Sequence, residues 1–203
     1  MSLSHLGHGV IAFFFGGLLM LLGGCAGTVT APKQSYDFGA FQQAAVPDTR
    51  LQVILAEIQT TPALDSNAML YRLNYANGQQ LQPYAQARWS MPPAQLLAQR
   101  LRQQFAARGS LLGSPADGVD NLPLLHLELQ EFSQIFTAPE RSHAQLSLHA
   151  VLVKNRRIIA QGNFVRQTPS ATQDAAGGAQ AMQQAADRLS TDLLDWLNSQ
   201  LHP

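Results

Sequence analysis

Polar and apolar residues alternate in six stretches from position 50 onward. Successive side chains of a strand point to opposite faces of a sheet, so this alternation predicts strands with one buried face. In the fourth stretch, for example, Leu125, Leu127 and Leu129 alternate with polar residues. The six predicted strands cover residues 50–59, 68–76, 79–85, 122–132, 145–154 and 157–167.

Two other stretches have the longer spacing of a helix with one apolar face. The first, 92–108, begins with prolines and is followed by Gly109, residues that suit the first turn and the end of a helix. The second, 172–200, is rich in alanine and glutamine. The apolar stripes are Leu97, Leu101 and Phe105 in the first helix and Met182, Ala186, Leu189, Leu193 and Leu197 in the second.

Short connections join these predicted strands. Asn77-Gly78 predicts a tight hairpin turn with positive φ at both residues, because Asn and Gly tolerate that backbone conformation best. Asn155-Arg156 predicts a second short hairpin turn. Leu111 and Leu112 fit either a short strand or a loop that plugs the core.

The predicted elements follow the order β-β-β-α-β-β-β-α. Antiparallel strands interrupted by single helices are typical of an α+β fold. We therefore predict a single α+β domain at residues 49–203, with a mostly antiparallel sheet and two main helices packed on one face.

The residues before this domain predict export and a lipid anchor. Residues 10–22 are uncharged and shorter than the ~20 apolar residues of a spanning helix, which predicts a signal peptide at 1–24. Leu22-Gly23-Gly24-Cys25 resembles the lipobox of bacterial lipoproteins, in which small residues precede a cysteine that receives acyl chains such as palmitate. The alternative is an uncleaved anchor helix with an incidental Cys25.

The residues after Cys25 bear on its location. Many Gram-negative lipoproteins that remain at the inner membrane have Asp at the next position, whereas this chain has Ala26. We therefore predict a lipid-anchored outer-membrane protein that faces the periplasm. Residues 25–48 hold the lipidated cysteine and scattered Pro and Gly, which predicts a flexible tether. Within it, 36–41 (YDFGAF) fits an early strand or a docking segment.

The charge balance limits the classes of partner. The 203-residue chain carries 13 Lys and Arg and 13 Asp and Glu, so its formal net charge is zero. This neutrality argues against a nucleic-acid partner, which requires a basic face. Cys25 is the only cysteine, which excludes an internal disulfide and a cysteine-based zinc cluster.

The sequence lacks the patterns of common catalytic sites. It has no G-x-S-x-G, no H-E-x-x-H, no P-loop and no G-x-G-x-x-G. His143 and His149 are expected on one sheet face but ~20 Å apart, too far for one metal ion. Glu128 and Glu131 are expected to line a solvated face. We therefore predict no enzyme activity, no catalytic residue, no metal site and no cofactor.

One stretch, 71–105, resembles a known family. The matching pattern is Tyr71-x-Leu73, then Tyr84-Ala85-x-x-Arg88-Trp89-x-x-Pro92-Pro93-x-x-Leu96-Leu97. This pattern resembles the ABC-type transport auxiliary lipoproteins of the paraquat-inducible protein C type, in which a strand and a hairpin lead into the first helix. The resemblance covers most of the mature chain, including the lipobox and the Ala- and Gln-rich last helix.

The resemblance implies a function in lipid transport between membranes. Such lipoproteins work beside an MCE-domain protein and its ABC permease and ATPase, and this chain would dock the MCE component at the outer membrane. A homo-oligomeric ring would suit a tube-forming partner, although no residue sets a number of copies. Arg88 and Trp89 are the candidate partner-binding residues, with burial of Trp89 in the core as the alternative.

Two other functions stay open at this point. A periplasmic lipid-binding carrier would need an enclosed apolar pocket, and an enzyme would need a cleft with convergent ionisable groups. Trp196, in the last predicted helix, either covers the rim of the sheet or faces a neighbouring molecule.

Overall fold

A computed structural model describes residues 32–41, 50–119 and 121–202. The predicted signal peptide, Cys25 and part of the predicted tether lie outside the described residues. The strands are β1 (Gln34–Tyr36), β2 (Gln52–Leu55), β3 (Gln59–Thr60), β4 (Ala68–Leu73), β5 (Gly78–Trp89), β6 (Leu111–Gly113), β7 (Leu124–Ala138), β8 (Arg141–Lys154) and β9 (Arg157–Pro169). The helices are α1 (Asn74–Asn77), α2 (Pro93–Ala107) and α3 (Ala175–Leu201), and 3-10 turns lie at Pro62–Leu64 and Pro115–Asp117.

Strand β7 is the centre of a nine-stranded sheet. One edge of β7 pairs with β8, and β8 pairs with β9, both antiparallel. The other edge of β7 pairs in turn with β2, β3 and β4, all parallel. Strand β5 then lies antiparallel to β4, β1 lies parallel to β5, and β6 lies parallel to β2.

The sheet is mixed, so the prediction of a mostly antiparallel sheet is wrong. Five of the eight strand pairings in the described residues are parallel. Alternating side chains reveal a strand but carry no information about the direction of its neighbour. The parallel pairs join segments that are distant in the sequence, such as Tyr71 and Gln134. The broader prediction, a domain that combines a sheet with helices, is confirmed.

The buried face of β7 and β8 forms the floor of the core. In β8 every second residue is fully buried, from Ala144 to Leu152. Helix α3 packs against β8, β9 and α2, and all five residues of its predicted apolar stripe are buried. Helix α2 buries Leu97, Leu101 and Phe105, as its sequence predicts. None of the described helices has the length and hydropathy needed to span a membrane.

Asp174 fixes the first turn of α3 as its N-cap. Its Oδ1 accepts hydrogen bonds from the Gly177 backbone N–H at 2.8 Å and from the Thr172 hydroxyl at 2.7 Å. These bonds favour the charged carboxylate and lower the pKa of Asp174 below its ordinary value.

The two predicted hairpin turns have different outcomes. Asn155 and Arg156 form the short β8–β9 turn, with φ of 51° and 62°. Asn77-Gly78 does not form the predicted turn, since Gly78 has φ −68° and follows the one-turn helix α1. Pairing of Arg72 with Leu81 leaves too many residues between them for a two-residue turn.

The folded unit begins before residue 49, where the sequence placed its start. It extends from Lys33, because β1 joins the sheet beside β5 and Phe38 is buried in the core. The strand is Gln34–Tyr36, so only Tyr36 of the segment 36–41 belongs to it, and the early-strand interpretation of that segment is displaced by several residues. Leu111 and Leu112 likewise belong to a short strand, β6.

Candidate functional site

Trp89, one of the two predicted partner-binding residues, lies in the core. Only 1% of it is exposed. Its ring packs edge-to-face against Phe132 at a centroid distance of 5.3 Å and against Phe38 at 6.0 Å. The residue therefore fastens the end of β5 to the chain segment after β1 and to β7. Trp89 is therefore buried in the core, which is the alternative that the sequence left open for it.

Arg88, the other predicted residue, is exposed. Neighbouring residues of a strand point to opposite faces, so the burial of Trp89 places Arg88 on the outer face of β5. Its backbone lies between Ser35 of β1 and Ala68 of β4. No ion pair of its guanidinium is found within the described residues. Arg88 is thus the member of the pair that a partner can reach.

Trp196 covers the rim of the sheet, one of its two predicted positions. It is half-buried and packs edge-to-face on Phe164 of β9 at 5.6 Å. Gly162 lies under the same ring, because a Cβ at this position would be 3.5 Å from the indole. The contact joins α3 to the outermost strand of the sheet.

A buried polar network crosses the sheet at Gln134. The Tyr84 hydroxyl donates to Gln134 Oε1 at 2.8 Å, and Gln134 Nε2 donates to the hydroxyl oxygens of Ser142 at 2.8 Å and Ser170 at 3.3 Å. Ser142 in turn donates to Gln173 Oε1 at 2.6 Å. Burial, followed by the nearby Tyr71 and Asp174, raises the pKa of Tyr84. The network therefore connects strands β5, β7 and β8 to the residues before α3.

Helix α3 can approach this network because it lacks side chains there. A Cβ on Gly178 would lie 2.1 Å from Gln134 Oε1, and one on Gly177 would lie 2.2 Å from the Thr172 carbonyl oxygen. The sequence analysis missed this network. Its signals were a Gly-Gly pair inside a helical pattern and a glutamine at a buried strand position.

The histidines do not form a metal site within the described residues. His143 and His149 lie on the more exposed face of β8, and His149 Nδ1 is 2.9 Å from Asn163 Oδ1. Burial lowers the pKa of His143. The described residues contain no group of three or more His, Cys, Asp or Glu that could hold a metal ion. Glu131 of β7 lies on the same face of the sheet and pairs with Arg72 at 3.3 Å.

One cleft lies between α2 and the segment that joins β2 to β3. It has a volume of about 500 Å³, and both apolar and charged residues line it. Leu55, Ile58 and Ala98 contribute apolar surface, while Glu57 and Arg102 are charged. The cleft does not include Arg88 or the Gln134 network.

Solved structures share this fold at low sequence identity. The chain resembles protein XCC0632 from Xanthomonas campestris, with a TM-score of 0.67 and 22% identity over 83% of this chain and 94% of that one. It also resembles the hypothetical protein CT253 from Chlamydia trachomatis, with a TM-score of 0.51 and 8% identity over 76% and 99% of the two chains. No curated protein sequence matches the chain significantly.

The sequence itself matches one protein family. The model of the family described as the ABC-type transport auxiliary lipoprotein component matches residues 36–193. This match begins at the last residue of β1 and continues into α3, so it includes the whole sheet core and the Arg88-Trp89 pair. The protein therefore belongs to the ABC-type transport auxiliary lipoprotein family.

Proposed function

We propose that the protein is the outer-membrane lipoprotein subunit of an MCE/ABC-type intermembrane lipid transport system, in which it docks the MCE component. The family match over residues 36–193 carries this proposal, because it identifies the chain as an accessory to an ABC transport system. The ATPase and the permease supply energy and passage in such a system. An accessory lipoprotein supplies attachment, a role that requires no catalytic site.

The packing of the core supports docking over the alternative of a lipid carrier. A carrier needs an enclosed apolar pocket for acyl chains. Here the space between sheet and helices is filled by fully buried side chains, such as Leu101, Phe105, Leu148 and Leu193. The 500 Å³ cleft beside α2 has Glu57, Asp65 and Arg102 in its lining, which does not suit an acyl chain.

Arg88 is the proposed contact to the partner. It is exposed on β5 and, within the described residues, its guanidinium is left without an ion pair. Arginine is enriched at protein interfaces because its planar guanidinium binds carboxylates through paired hydrogen bonds. We infer that an acidic residue of the MCE protein meets Arg88.

In-cell crosslinking tests the proposal. The full chain carries a photo-crosslinking amino acid at Ser35, beside Arg88, and mass spectrometry identifies the products. An MCE-domain protein is the expected product, and Arg88→Glu should lower its yield at least fivefold through charge repulsion. Arg102→Glu, an exposed charge reversal on α2, is the matched control and should leave the yield unchanged.

Two results would contradict the docking function. Recovery of self-crosslinks and lipid without any MCE protein would show that the proposed partner does not bind here. Stoichiometric phospholipid in solvent extracts of the purified protein would instead support the carrier.

A further inference from the structure

The turn between β8 and β9 presents cationic and apolar side chains together. We call residues 154–159 the hairpin tip. Lys154, Arg156 and Arg157 are exposed. Ile158 is 68% exposed, more than any other large apolar residue in the described part of the chain, and Ile159 is 43% exposed. Exposed isoleucines cost solvation free energy, so the hairpin tip is suited to a surface that covers them.

Exposure of both isoleucines shows that the helices do not cover the hairpin tip. Neighbouring residues of a strand point to opposite faces of the sheet. In the middle of β8 one face is buried, as at Leu146 and Leu148. At the hairpin tip this alternation is interrupted, because the β8–β9 pairing shifts register between Leu152 and Val153 and leaves Ile159 without a partner, and both isoleucines are exposed.

All charged side chains of the β8–β9 hairpin are positive. Residues 141–173 contain five Lys and Arg but no Asp or Glu, although the whole chain is neutral. Within the described residues, no carboxylate lies at ion-pair distance from Lys154, Arg156 or Arg157. Arg50 lines a shallow cleft together with Lys154 and adds a further cation at this end. The hairpin tip is therefore complementary to an external anionic surface.

The backbone of the turn places these cations next to one another at the end of the hairpin. Lys154 pairs with Arg157 across a two-residue turn, and Arg156 has φ of 62°. Glycine is the favoured residue there, because a side chain at positive φ is strained. Stability alone would favour Asn-Gly at this turn, so the guanidinium of Arg156 is present at a cost to folding.

We propose that the hairpin tip inserts into the surface of a phospholipid bilayer that contains anionic headgroups. Ile158 and Ile159 enter the boundary between headgroups and acyl chains, while the three cations contact phosphates. A bilayer with anionic lipids offers phosphates directly above an apolar layer, which matches cations and isoleucines that are exposed side by side, whereas an acidic protein would need an apolar groove next to its carboxylates. The family is one of lipoproteins, so the domain works beside a membrane.

The test measures the depth of the hairpin tip, because a lipid anchor alone would hold the protein on any vesicle. Protein from cells that express the full chain carries an environment-sensitive fluorophore on Asn155→Cys and is placed on phosphatidylethanolamine–phosphatidylglycerol vesicles. We expect a blue shift and quenching by brominated lipids. The same fluorophore on Glu140→Cys, in the turn at the other end of β8, should remain unquenched.

Substitutions separate the contributions of the cations and the isoleucines of the hairpin tip. Arg156→Gly retains a favourable turn, and together with Arg157→Gln it should lower the insertion equilibrium constant about fivefold per cation removed. Ile158→Ser should lower it about tenfold. Arg141→Gln and Val165→Ser, which remove an exposed cation and a 48% exposed valine elsewhere on this hairpin, should have no effect.

Three results would overturn the proposal. The first is a fluorophore on the hairpin tip that stays in water on anionic vesicles. The second is equal quenching on purely zwitterionic vesicles. The third is a blue shift that appears only when envelope proteins are added, which would assign the hairpin tip to a protein partner.

Discussion

At the residue scale, Tyr84 illustrates how one hydroxyl connects separate parts of the chain. Its hydrogen bond to Gln134 crosses from β5 to β7, and the amide of Gln134 continues to Ser142 and Ser170. Removal of one partner from a buried network leaves the other polar group unsatisfied. The Tyr84 hydroxyl is therefore expected to contribute to stability.

Tyr84→Phe should lower the free energy of unfolding at neutral pH by about 1 kcal/mol. The raised pKa of Tyr84 means that the unfolded chain releases this proton at a lower pH than the folded protein does. The stabilisation is therefore complete below the unfolded pKa of about 10 and is lost as the pH rises above it. Urea unfolding at increasing pH should show a steeper alkaline loss for the wild type than for Tyr84→Phe.

Parallel alkaline curves for the two proteins would contradict this role of Tyr84. Tyr75→Phe removes a hydroxyl from a tyrosine that is 48% exposed and is the control at neutral pH. It should change the free energy of unfolding by less than about 0.5 kcal/mol.

At the scale of elements, a buried ion pair joins the two main helices. Arg100 of α2 is 3% exposed, and its Nη2 donates to Asp187 Oδ2 of α3 at 2.9 Å. The side chain of Asp187 is 30% exposed, so solvent screens part of this interaction. The pair fixes the register of α2 against α3. If the pair is broken, Arg100 is affected more than Asp187, because the Arg100 cation has little access to water.

Asp187→Ala should lower the free energy of unfolding by about 2 kcal/mol, because it leaves the Arg100 guanidinium buried without its counter-charge. Combining it with Arg100→Met should recover most of this loss, and urea unfolding of the four proteins in a double-mutant cycle measures the coupling. Asp195→Ala is the matched control. It breaks an ion pair with Arg108 in which Asp195 is 62% exposed, and should cost less than about 0.5 kcal/mol. If Asp187→Ala and Asp195→Ala lower the free energy of unfolding equally, burial of Arg100 does not determine how much its ion pair contributes.

The same scale shows how far the sequence predicts the fold. Both main helices and the long strands lie close to their predicted positions, because each has a regular apolar period. The prediction for β7 stopped at residue 132, since a bulge between Leu129 and Glu131 moves the buried positions from Leu129 to Phe132. Strand β1 was not singled out from the residues QSY, which have no apolar alternation and pair only through the β5 backbone.

The candidate site was less predictable than the fold. A pattern of residues identified Arg88 and Trp89 as a pair but could not tell which of them faces outward. The neighbours that bury Trp89 come from distant segments, Phe38 and Phe132. The Gln134 network has the same origin, because its members meet only once β5, β7, β8 and the residues before α3 are packed.

At the scale of the whole molecule, the folded unit starts eight residues after the proposed lipidation site at Cys25. We expect wild-type protein to incorporate labelled palmitate, to resist carbonate extraction from membranes and to begin at residue 25. Cys25→Ser should incorporate no label, because no other cysteine is available. Ser110→Cys/Cys25→Ser provides a control with a cysteine that has no lipobox, and it should also remain unlabelled.

The outcome that would contradict lipidation concerns the single variant Cys25→Ser. If Cys25→Ser resists carbonate extraction and keeps its first 24 residues, residues 10–22 anchor the chain as a helix. The two or three acyl chains of a lipoprotein, at about 0.8 kcal/mol per buried methylene, would then be unnecessary for attachment.

The central position of β7 also affects when the sheet can form. Synthesis proceeds from the N-terminus, so β2, β3 and β4 are complete well before Leu124 begins the strand that pairs with all three. Tyr71 pairs with Gln134, 63 residues later, and among the described strands β3 pairs only with β7. Pairing over such separations slows folding. A chain that ends before β7 can pair β4 with β5 and β2 with β6, but it leaves the β7-facing edges of β2, β3 and β4 open, so the sheet is completed only once β7 is available.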